Sequence, residues 1–355
     1  LLCPWERIIV LRDVAFGGKC VISLLDMFLF SCKNVMMKRI CCILSILLLL
    51  PAAVSAQKRE LLPFADFEQW VTRHMKESKL LGGRERTLYA IAPTATIEGE
   101  KAYRNMGGSP WATSNAYANV LGIVKASCTV VPEERPGGGW CARLDSKIDD
   151  VKVLGLVNLE VLVSGTIYLG ELMEPIRSVN SPYSKMTMGI PFTKRPKKLV
   201  FDYRLKMSDK NYRIYSTGLK PKKQVAGRDS AEVYILLQHR WEDEKGNVYA
   251  HRVGTGRERY TQSTNGWVNG HTITVHYGDI TSKPFFRSYM GLIPEDKSYF
   301  CLNSKGEIVP VVEVGWGAPD EEITHMLVMV SSGCGTAFVG AENTTLWVDN
   351  IMLEY

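Results

Sequence analysis

The hydrophobic pattern from Leu88 onward is that of a β protein. Short runs of β-branched and aromatic residues alternate with clusters of Gly, Pro, Asn and Asp, as strands alternate with turns. Between 199 and 207 every second residue is apolar, and Asp202 and Arg204 are among the residues between them. This period of two predicts an antiparallel strand with one buried face. Strands are predicted at 87–91, 140–144, 151–162, 198–206, 232–241, 248–253, 272–277, 309–314, 324–330 and 345–355.

One earlier segment has the period of a helix instead. Its apolar residues are spaced mostly three and four apart, at Phe64, Phe67, Trp70, Val71 and Met75. This spacing predicts a helix over 64–81, and the Gly82-Gly83 pair would end it. We therefore assign an N-terminal helical segment to 57–89.

Turn residues and the order of the elements predict the fold class. Lys245-Gly246-Asn247 and Ser304-Lys305-Gly306 each separate two apolar runs, which is typical of β-hairpins. Many strands, one short helix and no regular strand–helix alternation indicate a mainly β protein. We expect an antiparallel, jelly-roll-like β-sandwich over 90–355, preceded by the short N-terminal helix. The long polar connections at 104–122 and 178–196 are candidate functional loops.

Residues 37–56 have the pattern of a secretory signal peptide. The basic pair Lys38-Arg39 precedes the apolar run 40–50, and Val54-Ser55-Ala56 supplies the small residues that a signal peptidase requires. The apolar run is shorter than the roughly 20 residues needed to span a bilayer. A cleaved signal is therefore favoured over a membrane anchor.

A signal peptide at this position changes how the chain is divided. Residues 1–36 would be upstream sequence included by an early assignment of the translation start, and the mature protein would begin near Gln57. This predicts a protein that is secreted, periplasmic or held at the cell surface.

The charge of the chain argues against a nucleic-acid partner. The formal net charge is +6, and it falls to +3 without residues 1–56, which hold six of the basic and three of the acidic residues. A nucleic-acid-binding domain usually carries a clustered basic face. The short basic run 194–198 precedes an apolar strand and is more typical of a solvated strand entry.

The cysteines give no metal pattern. Five of the nine lie in residues 1–56, and the others are Cys128, Cys141, Cys301 and Cys334. Their spacing does not match a zinc site. An exported protein permits disulfides, and Cys128 and Cys141 could pair. Free buried thiols fit equally well, because a chain of this length can form an adequate core without cross-links.

No sequence motif specifies a reaction. A Gly-x-Ser-x-Gly nucleophile elbow is absent, and the Gly-rich stretches are not followed by a helix as a phosphate loop would be. His271 and His276 are five residues apart and would face opposite sides of a strand. The adjacent acids at 242–244 fit a solvated hairpin tip. A glycoside hydrolase, which needs two converging carboxylates, is thus neither specified nor excluded.

Aromatic residues give a stronger functional signal. The chain has 8 Trp and 15 Tyr, and several Trp lie in segments rich in Gly, Pro or Asn. An exposed aromatic ring can stack on the apolar face of a sugar while polar side chains bind its hydroxyls. We predict a ligand-binding face in which Trp111 or Trp267 stacks on a sugar, and Asn115 and Arg143 bind hydroxyls or a carboxylate. The alternative is that these Trp fill the ends of the sandwich core.

A structural calcium is the one metal for which the sequence offers ligands. Glu68 and Asp349 lie near the two ends of the mature chain, where first and last strands of a sandwich can meet around Ca²⁺. The predicted helix at Glu68 weakens this candidate. No other cofactor is expected.

Six short blocks of the chain are Trp111–Asn115, Cys141–Leu144, Pro191–Pro196, Thr264–Val268, Tyr277–Ile280 and Leu346–Ile351. Together they resemble the putative carbohydrate metabolism domain family of secreted proteins from Bacteroides-like gut bacteria. Their order and spacing carry the resemblance, which covers most of 90–355. It implies a jelly-roll-like sandwich, export and a role in glycan use. It implies no catalytic residues.

The sequence therefore leads to three expectations about function. The first is a secreted carbohydrate-binding β-sandwich that takes part in glycan capture or processing, with a glycan and other cell-surface glycan-utilisation proteins as partners. The second is a glycoside hydrolase or polysaccharide lyase, which a pair of carboxylates in a cleft would favour. The third is a structural module of a surface assembly or adhesin, which an exposed, unpaired edge strand would favour.

Overall fold

β-Strands form most of the described chain. The computed structural model describes residues 58–104, 108–120, 122–153, 157–178, 182–217, 221–334 and 336–355. The upstream segment 1–36, the predicted signal peptide 37–56 and Gln57 lie outside the described residues. None of the described helices is long and apolar enough to cross a membrane. The stretch 58–355 is one structural unit.

The strands are numbered in chain order. They are β1 (Arg59–Leu61), β2 (Trp70–Lys76), β3 (Glu85–Ile91), β4 (Ala95–Glu98), β5 (Trp111–Thr113), β6 (Ala116–Val120), β7 (Ile123–Ser127), β8 (Val130–Glu134), β9 (Trp140–Val153), β10 (Val157–Ser164), β11 (Thr166–Leu172), β12 (Met186–Met188), β13 (Ile190–Pro191), β14 (Lys198–Lys206), β15 (Tyr212–Tyr215), β16 (Lys223–Ala226), β17 (Ala231–Glu242), β18 (Val248–Tyr260), β19 (Val268–Thr274), β20 (His276–Tyr277), β21 (Phe300–Leu302), β22 (Ile308–Trp316), β23 (His325–Ser331), β24 (Val339–Gly340) and β25 (Thr344–Glu354). Four single-turn 3₁₀-helices occur at Lys79–Leu81, Pro182–Lys185, Ser288–Met290 and Glu295–Lys297.

Two large sheets pack against each other, which confirms the mainly β sandwich. The seven-stranded sheet has the order β10-β9-β25-β14-β19, with β8 on β9 and β1 on β25. Alternate residues of its strands, such as Leu199 and Phe201, meet Val233 and Ile235 of β17 in one core. The period-two pattern thus buries one face of each strand, as the sequence predicted.

The second, ten-stranded sheet curls until seven of its strands close a ring. Pairing runs β23-β17-β18-β22-β21-β12-β11, and β11 pairs again with β23. Side chains of β17 that face away from the main core therefore point into this ring. Tyr168, Tyr234, Leu327 and Met329 pack there as a second cluster. Most pairings are antiparallel, but β18–β22, β12–β21 and β2–β4 are parallel.

The hairpin predictions are confirmed. Asp243 N–H donates to Asn247 O at 3.0 Å, closing the turn between β17 and β18. Gly246 there has φ = 93°, a conformation that glycine adopts without strain. The second predicted turn, 304–306, joins β21 to β22.

The predicted helix over 64–81 is wrong. Phe64 and Phe67 have φ of 58° and 51° and lie in a turn, and β2 follows at Trp70–Lys76. Strand β2 pairs with β3 and β4, and Phe67 and Trp70 are part of the main core. The N-terminal segment is therefore built of strands, turns and the single 3₁₀ turn at Lys79–Leu81, within the same unit.

The four cysteines outside residues 1–57 are free thiols. Cys128 and Cys141 do not form the disulfide that the sequence left open. Burial raises the pKa of Cys128 to about 11 and that of Cys141 to about 12. Both thiols thus stay protonated and unreactive at neutral pH.

Candidate functional site

Two adjoining cavities open at one end of the strand ring. Their volumes are about 200 Å³ and about 180 Å³, and Tyr183, Tyr299 and Thr336 line both. We call the larger one the ring cavity; its wall is formed by β18, the turns at 288–297 and Cys334. Concave sites of this kind, with a few convergent polar groups, are where small ligands usually bind.

Two arginines on one strand line the ring cavity. Arg257 and Arg259 are two residues apart on β18, so both side chains lie on the same face. Both Nε atoms donate to Oε1 of Glu232, at 2.9 Å and 2.7 Å. The side chain of Glu232 has no exposed surface, and its Oε2 has no hydrogen-bond partner among the described residues. One buried carboxylate thus fixes two guanidinium groups.

The charge of the ring cavity is positive. Arg257, Arg259 and Lys297 contribute three cations to the wall, and Glu232 beneath them balances one. Among the described residues that line the two cavities, none is Asp or Glu. The arrangement therefore favours an anionic ligand group, which an arginine can bind through two parallel hydrogen bonds.

Three tyrosines complete the wall of the ring cavity. The guanidinium of Arg259 lies 4.8 Å from the ring centroid of Tyr289, a cation–π contact that holds both side chains. Tyr299 accepts a hydrogen bond from the hydroxyl of Tyr234 at 2.6 Å. Burial raises the pKa values of Tyr183, Tyr289 and Tyr299. Their hydroxyls stay protonated at neutral pH and serve as hydrogen-bonding groups.

Trp111 and Asn115 lie in the protein interior, so neither forms part of an exposed ligand face. Trp111 is 1% exposed, and its Nε1 donates to Pro63 O at 2.8 Å. The Asn115 amide donates to Tyr89 O and to Val130 O, at 2.8 Å and 2.6 Å. An exposed ring face, which stacking on a sugar requires, is not available at Trp111. Asn115 instead satisfies backbone groups of neighbouring segments.

Arg143 and Trp267 do lie at the surface of the seven-stranded sheet. Arg143 sits opposite Trp347 on β25 and pairs with Glu133 at 3.0 Å and Asp145 at 2.8 Å. Trp267 is half-buried, and the guanidinium of Arg135 covers its ring at 4.4 Å from the centroid. The predicted role of these two residues in sugar binding stays a prediction.

Asp349, predicted as a calcium ligand, lies beside a second carboxylate. Arg135 Nη1 donates to Asp202 Oδ2 at 2.8 Å and also contacts Asp349 Oδ2. Burial raises the pKa of Asp349 to about 6. At Asp202, burial alone would raise the pKa. It is outweighed by hydrogen bonds from Asn350, Gly270 N–H and Arg135, so the pKa of Asp202 is lowered. A guanidinium therefore occupies the position where a cation would bridge the two acids.

Glu68, the other predicted calcium ligand, accepts a hydrogen bond from Trp140 N–H at 2.9 Å. Glu68 thus contacts a backbone amide and not Asp349. In the part of the chain that the structure describes, no cluster of three or more His, Cys, Asp or Glu could hold a metal ion.

The sequence reasoning missed the residues of the ring cavity. A signal was present, because Arg257 and Arg259 occupy one face of β18 and directly follow Gly254 and Gly256 of the same strand. Charged residues at inward positions of a strand are unusual and indicate a buried partner or a ligand. Tyr183 falls within the loop 178–196, which the sequence marked as a functional candidate.

Comparison with known proteins gives the family. The model of the family described as "Putative carbohydrate metabolism domain" matches residues 67–280, which is more than half of the chain. This chain belongs to that family. The assignment agrees with the resemblance seen in the sequence and supports a carbohydrate-related role.

One similar solved structure is a putative glycoside hydrolase from Bacteroides thetaiotaomicron. It is 16% identical to this chain, with a TM-score of 0.41, over 77% of this chain and 76% of that chain. The search of curated proteins found no match.

Proposed function

We propose that this protein binds an acidic carbohydrate in the ring cavity. The observation that carries the proposal is the pair Arg257 and Arg259, fixed by the buried carboxylate of Glu232 at the wall of a cavity of about 200 Å³. A uronic acid or a sulfated sugar would place its anionic group on these guanidinium groups. The family's carbohydrate-related role supplies the ligand class.

The remainder of the wall suits a sugar ring. Tyr289 and Tyr299 line the cavity with apolar ring surface and with hydroxyls, although Arg259 lies against the Tyr289 ring and Tyr234 against the Tyr299 ring. The adjoining cavity, lined by Met186, Met188 and Met329, provides apolar surface for a neighbouring sugar unit. Binding is favoured over lyase chemistry, because the raised pKa values of the tyrosines oppose a tyrosinate base at neutral pH.

The proposal is tested by binding assays with acidic and neutral polysaccharides. The probes are polygalacturonate, alginate and chondroitin sulfate, with galactomannan as the neutral comparison. We expect binding to at least one acidic polymer, weakening as salt is added. Arg257→Gln and Arg259→Gln should each weaken that binding roughly tenfold or more.

The matched control removes the same charge from a distant, exposed site, as in Arg84→Gln. Arg84 does not line the ring cavity, so its loss should leave the affinity unchanged. Equal weakening by all three variants would show only a general charge effect and would reject the assignment. Circular dichroism and melting curves would confirm that each variant is folded.

Glycoside hydrolysis is the second candidate, because the pKa values of Asp349 and Asp202 are shifted in opposite directions. Such a split can distinguish an acid from a base or nucleophile. Arg135 contacts both carboxylates, which makes the pair less available to a substrate. The test is release of new reducing ends from any polymer that binds. Hydrolysis lost in Asp202→Asn and Asp349→Asn would support an enzyme at this pair.

We also propose export through the segment 37–56, on the sequence pattern alone. Mass spectrometry of the native N-terminus should find a chain that begins near Gln57. A retained segment 37–56 would reject cleavage.

A further inference from the structure

A second aromatic surface lies on the hairpin of β17 and β18, apart from the ring cavity. His239 pairs with His251 and Trp241 with Tyr249 across the two strands. These four residues occupy alternate positions, so their side chains lie on one face, and Gln238 and Arg240 on the other face are buried. We call the four rings the aromatic strip. Trp241, at its centre, is 37% exposed.

The rings of the aromatic strip are in contact with one another. The Trp241 and Tyr249 rings are stacked, with centroids 6.0 Å apart and planes 30° apart. The His251 ring meets Trp241 edge-on at 4.9 Å, and the His239 ring lies 6.0 Å from it. On the neighbouring strand β22, Val312 pairs with Tyr249, and Val314 is exposed. The aromatic strip and these two valines thus lie on three neighbouring strands.

The polar groups around the aromatic strip include both carboxylates and cations, among them Lys245 and Lys305 at the adjoining turns. Nδ1 of His251 lies 2.8 Å from Glu321 Oε1, and the hydroxyl of Tyr249 lies 3.5 Å from Asp243 Oδ2. Glu242 and Glu244 are exposed at the adjoining turn. This rim has charges of both signs and lacks the paired arginines that line the ring cavity.

We infer that the aromatic strip is a second carbohydrate-binding surface, which takes the apolar face of a neutral pyranose on Trp241. Stacked aromatic rings present the C–H-binding plane, and the surrounding carboxylates and imidazoles accept or donate hydrogen bonds to hydroxyls. Carboxylates are good acceptors for sugar hydroxyls and poor neighbours for a sulfate or uronate. This inference does not depend on the ring cavity, since the two sites share no residue.

The experiment measures binding of the purified protein to neutral polysaccharides: hydroxyethylcellulose, xyloglucan, galactomannan and soluble starch. We expect binding to at least one of them, with little dependence on salt. Trp241→Ala should weaken it roughly tenfold or more, as loss of a stacking platform worth at least about 1.4 kcal/mol would do. Trp241→Phe should retain part of the affinity.

Trp140→Ala is the matched control. Trp140 is 39% exposed, but it lies on β9 of the other sheet, so its loss should leave neutral-glycan affinity unchanged. If Trp241→Ala weakened only the binding of acidic polymers, the strip would not be an independent site, and the inference would fail.

Two further outcomes would overturn the inference without touching the ring cavity. One is that the wild-type protein binds acidic polymers but none of the neutral ones. The other is that Trp241→Ala leaves all glycan binding intact and changes the sedimentation of the protein from dimer to monomer. The strip would then be an interface between two copies of this chain.

Discussion

Asp202 and Asp349 lie opposite each other on β14 and β25, and one nitrogen of Arg135 contacts a carboxylate oxygen of both. One cation cannot fully balance two neighbouring anions in a largely buried site. Burial therefore keeps the pKa of Asp349 at about 6, while Asp202 remains ionised.

The first prediction concerns the pH dependence of stability. The pKa of Asp349 is about 6 in the folded state, against 3.8 for an ordinary aspartate, so the folded protein binds this proton more tightly than the unfolded chain. Its contribution to stability is therefore present below about pH 4 and is lost as pH rises through 6. Asp349→Asn removes the titrating carboxyl group and therefore removes this fall in stability with rising pH. The variant should gain roughly 1–2 kcal/mol relative to wild type between pH 4 and pH 7, measured by urea unfolding at each pH. If the difference in unfolding free energy between variant and wild type did not change with pH, Asp349 would not be the titrating group.

The second prediction concerns a buried ion pair. Arg73 and Glu174 have side chains 3% and 2% exposed and lie 2.6 Å apart. Glu174 also accepts hydrogen bonds from Tyr103 N–H and Tyr117 N–H. Glu174→Gln leaves a buried cation without its counter-charge and should lower the free energy of unfolding by about 3–5 kcal/mol.

Glu171→Gln is the comparison for this pair. Glu171 pairs with Arg104 at the surface, where such pairs contribute at most about 1 kcal/mol. The free energy of unfolding of both variants is measured by denaturant titration. Similar decreases in the two would show that the buried pair stabilises the protein no more than the surface pair does.

The third prediction concerns Gly170 on β11. Its φ is 146°, and a Cβ at this position would overlap Thr187 O on the paired strand β12. Gly170→Ala should separate these strands and cost about 1–3 kcal/mol or more. Gly306→Ala, at a turn where φ is 76° but space around the Cβ position is open, should cost only the backbone strain of a left-handed alanine, about 1–2 kcal/mol. Thermal melting of the two variants distinguishes a steric effect from a backbone effect.

The fourth prediction separates core from surface tryptophans. Trp111→Ala should lower the free energy of unfolding by about 3–5 kcal/mol, because it leaves a large cavity beside Phe67. Trp241→Ala should change it by less than about 1 kcal/mol, because the ring is partly solvated. Equal decreases in unfolding free energy for the two variants would mean that Trp241 is a structural residue.

The sandwich was predictable because its strands repeat every two residues. The strand predicted at 198–206 is β14 to the residue, and 232–241 falls within β17. Strand β2 was missed because Arg73 interrupts its apolar pattern. Val71, Arg73 and Met75 are all buried, but a charged residue in that series hides the period of two. The ion-pair partner of Arg73, Glu174, is 101 residues away, so no local sequence pattern indicates the pair.

The candidate site was less predictable than the fold. Trp111 lies in a Gly- and Pro-rich context that suggested exposure, but this segment forms β5 against the core. Arg257 and Arg259 were overlooked because Glu232, which holds both guanidinium groups, is brought beside them only by strand pairing. Local amino-acid composition predicts loops well, but it does not predict which face of a curled sheet becomes concave.

The position of β25 has a consequence for folding kinetics. It lies between β9 and β14 in the seven-stranded sheet, where Thr345 bonds to Asp145, 200 residues earlier, and Asn350 to Asp202, 148 residues earlier. Such non-local pairing makes folding slow, because chain entropy is lost before the contacts form. Until β25 docks, β9 and β14 each present an unpaired edge. Refolding should therefore compete with association between chains, and its yield should fall as protein concentration rises.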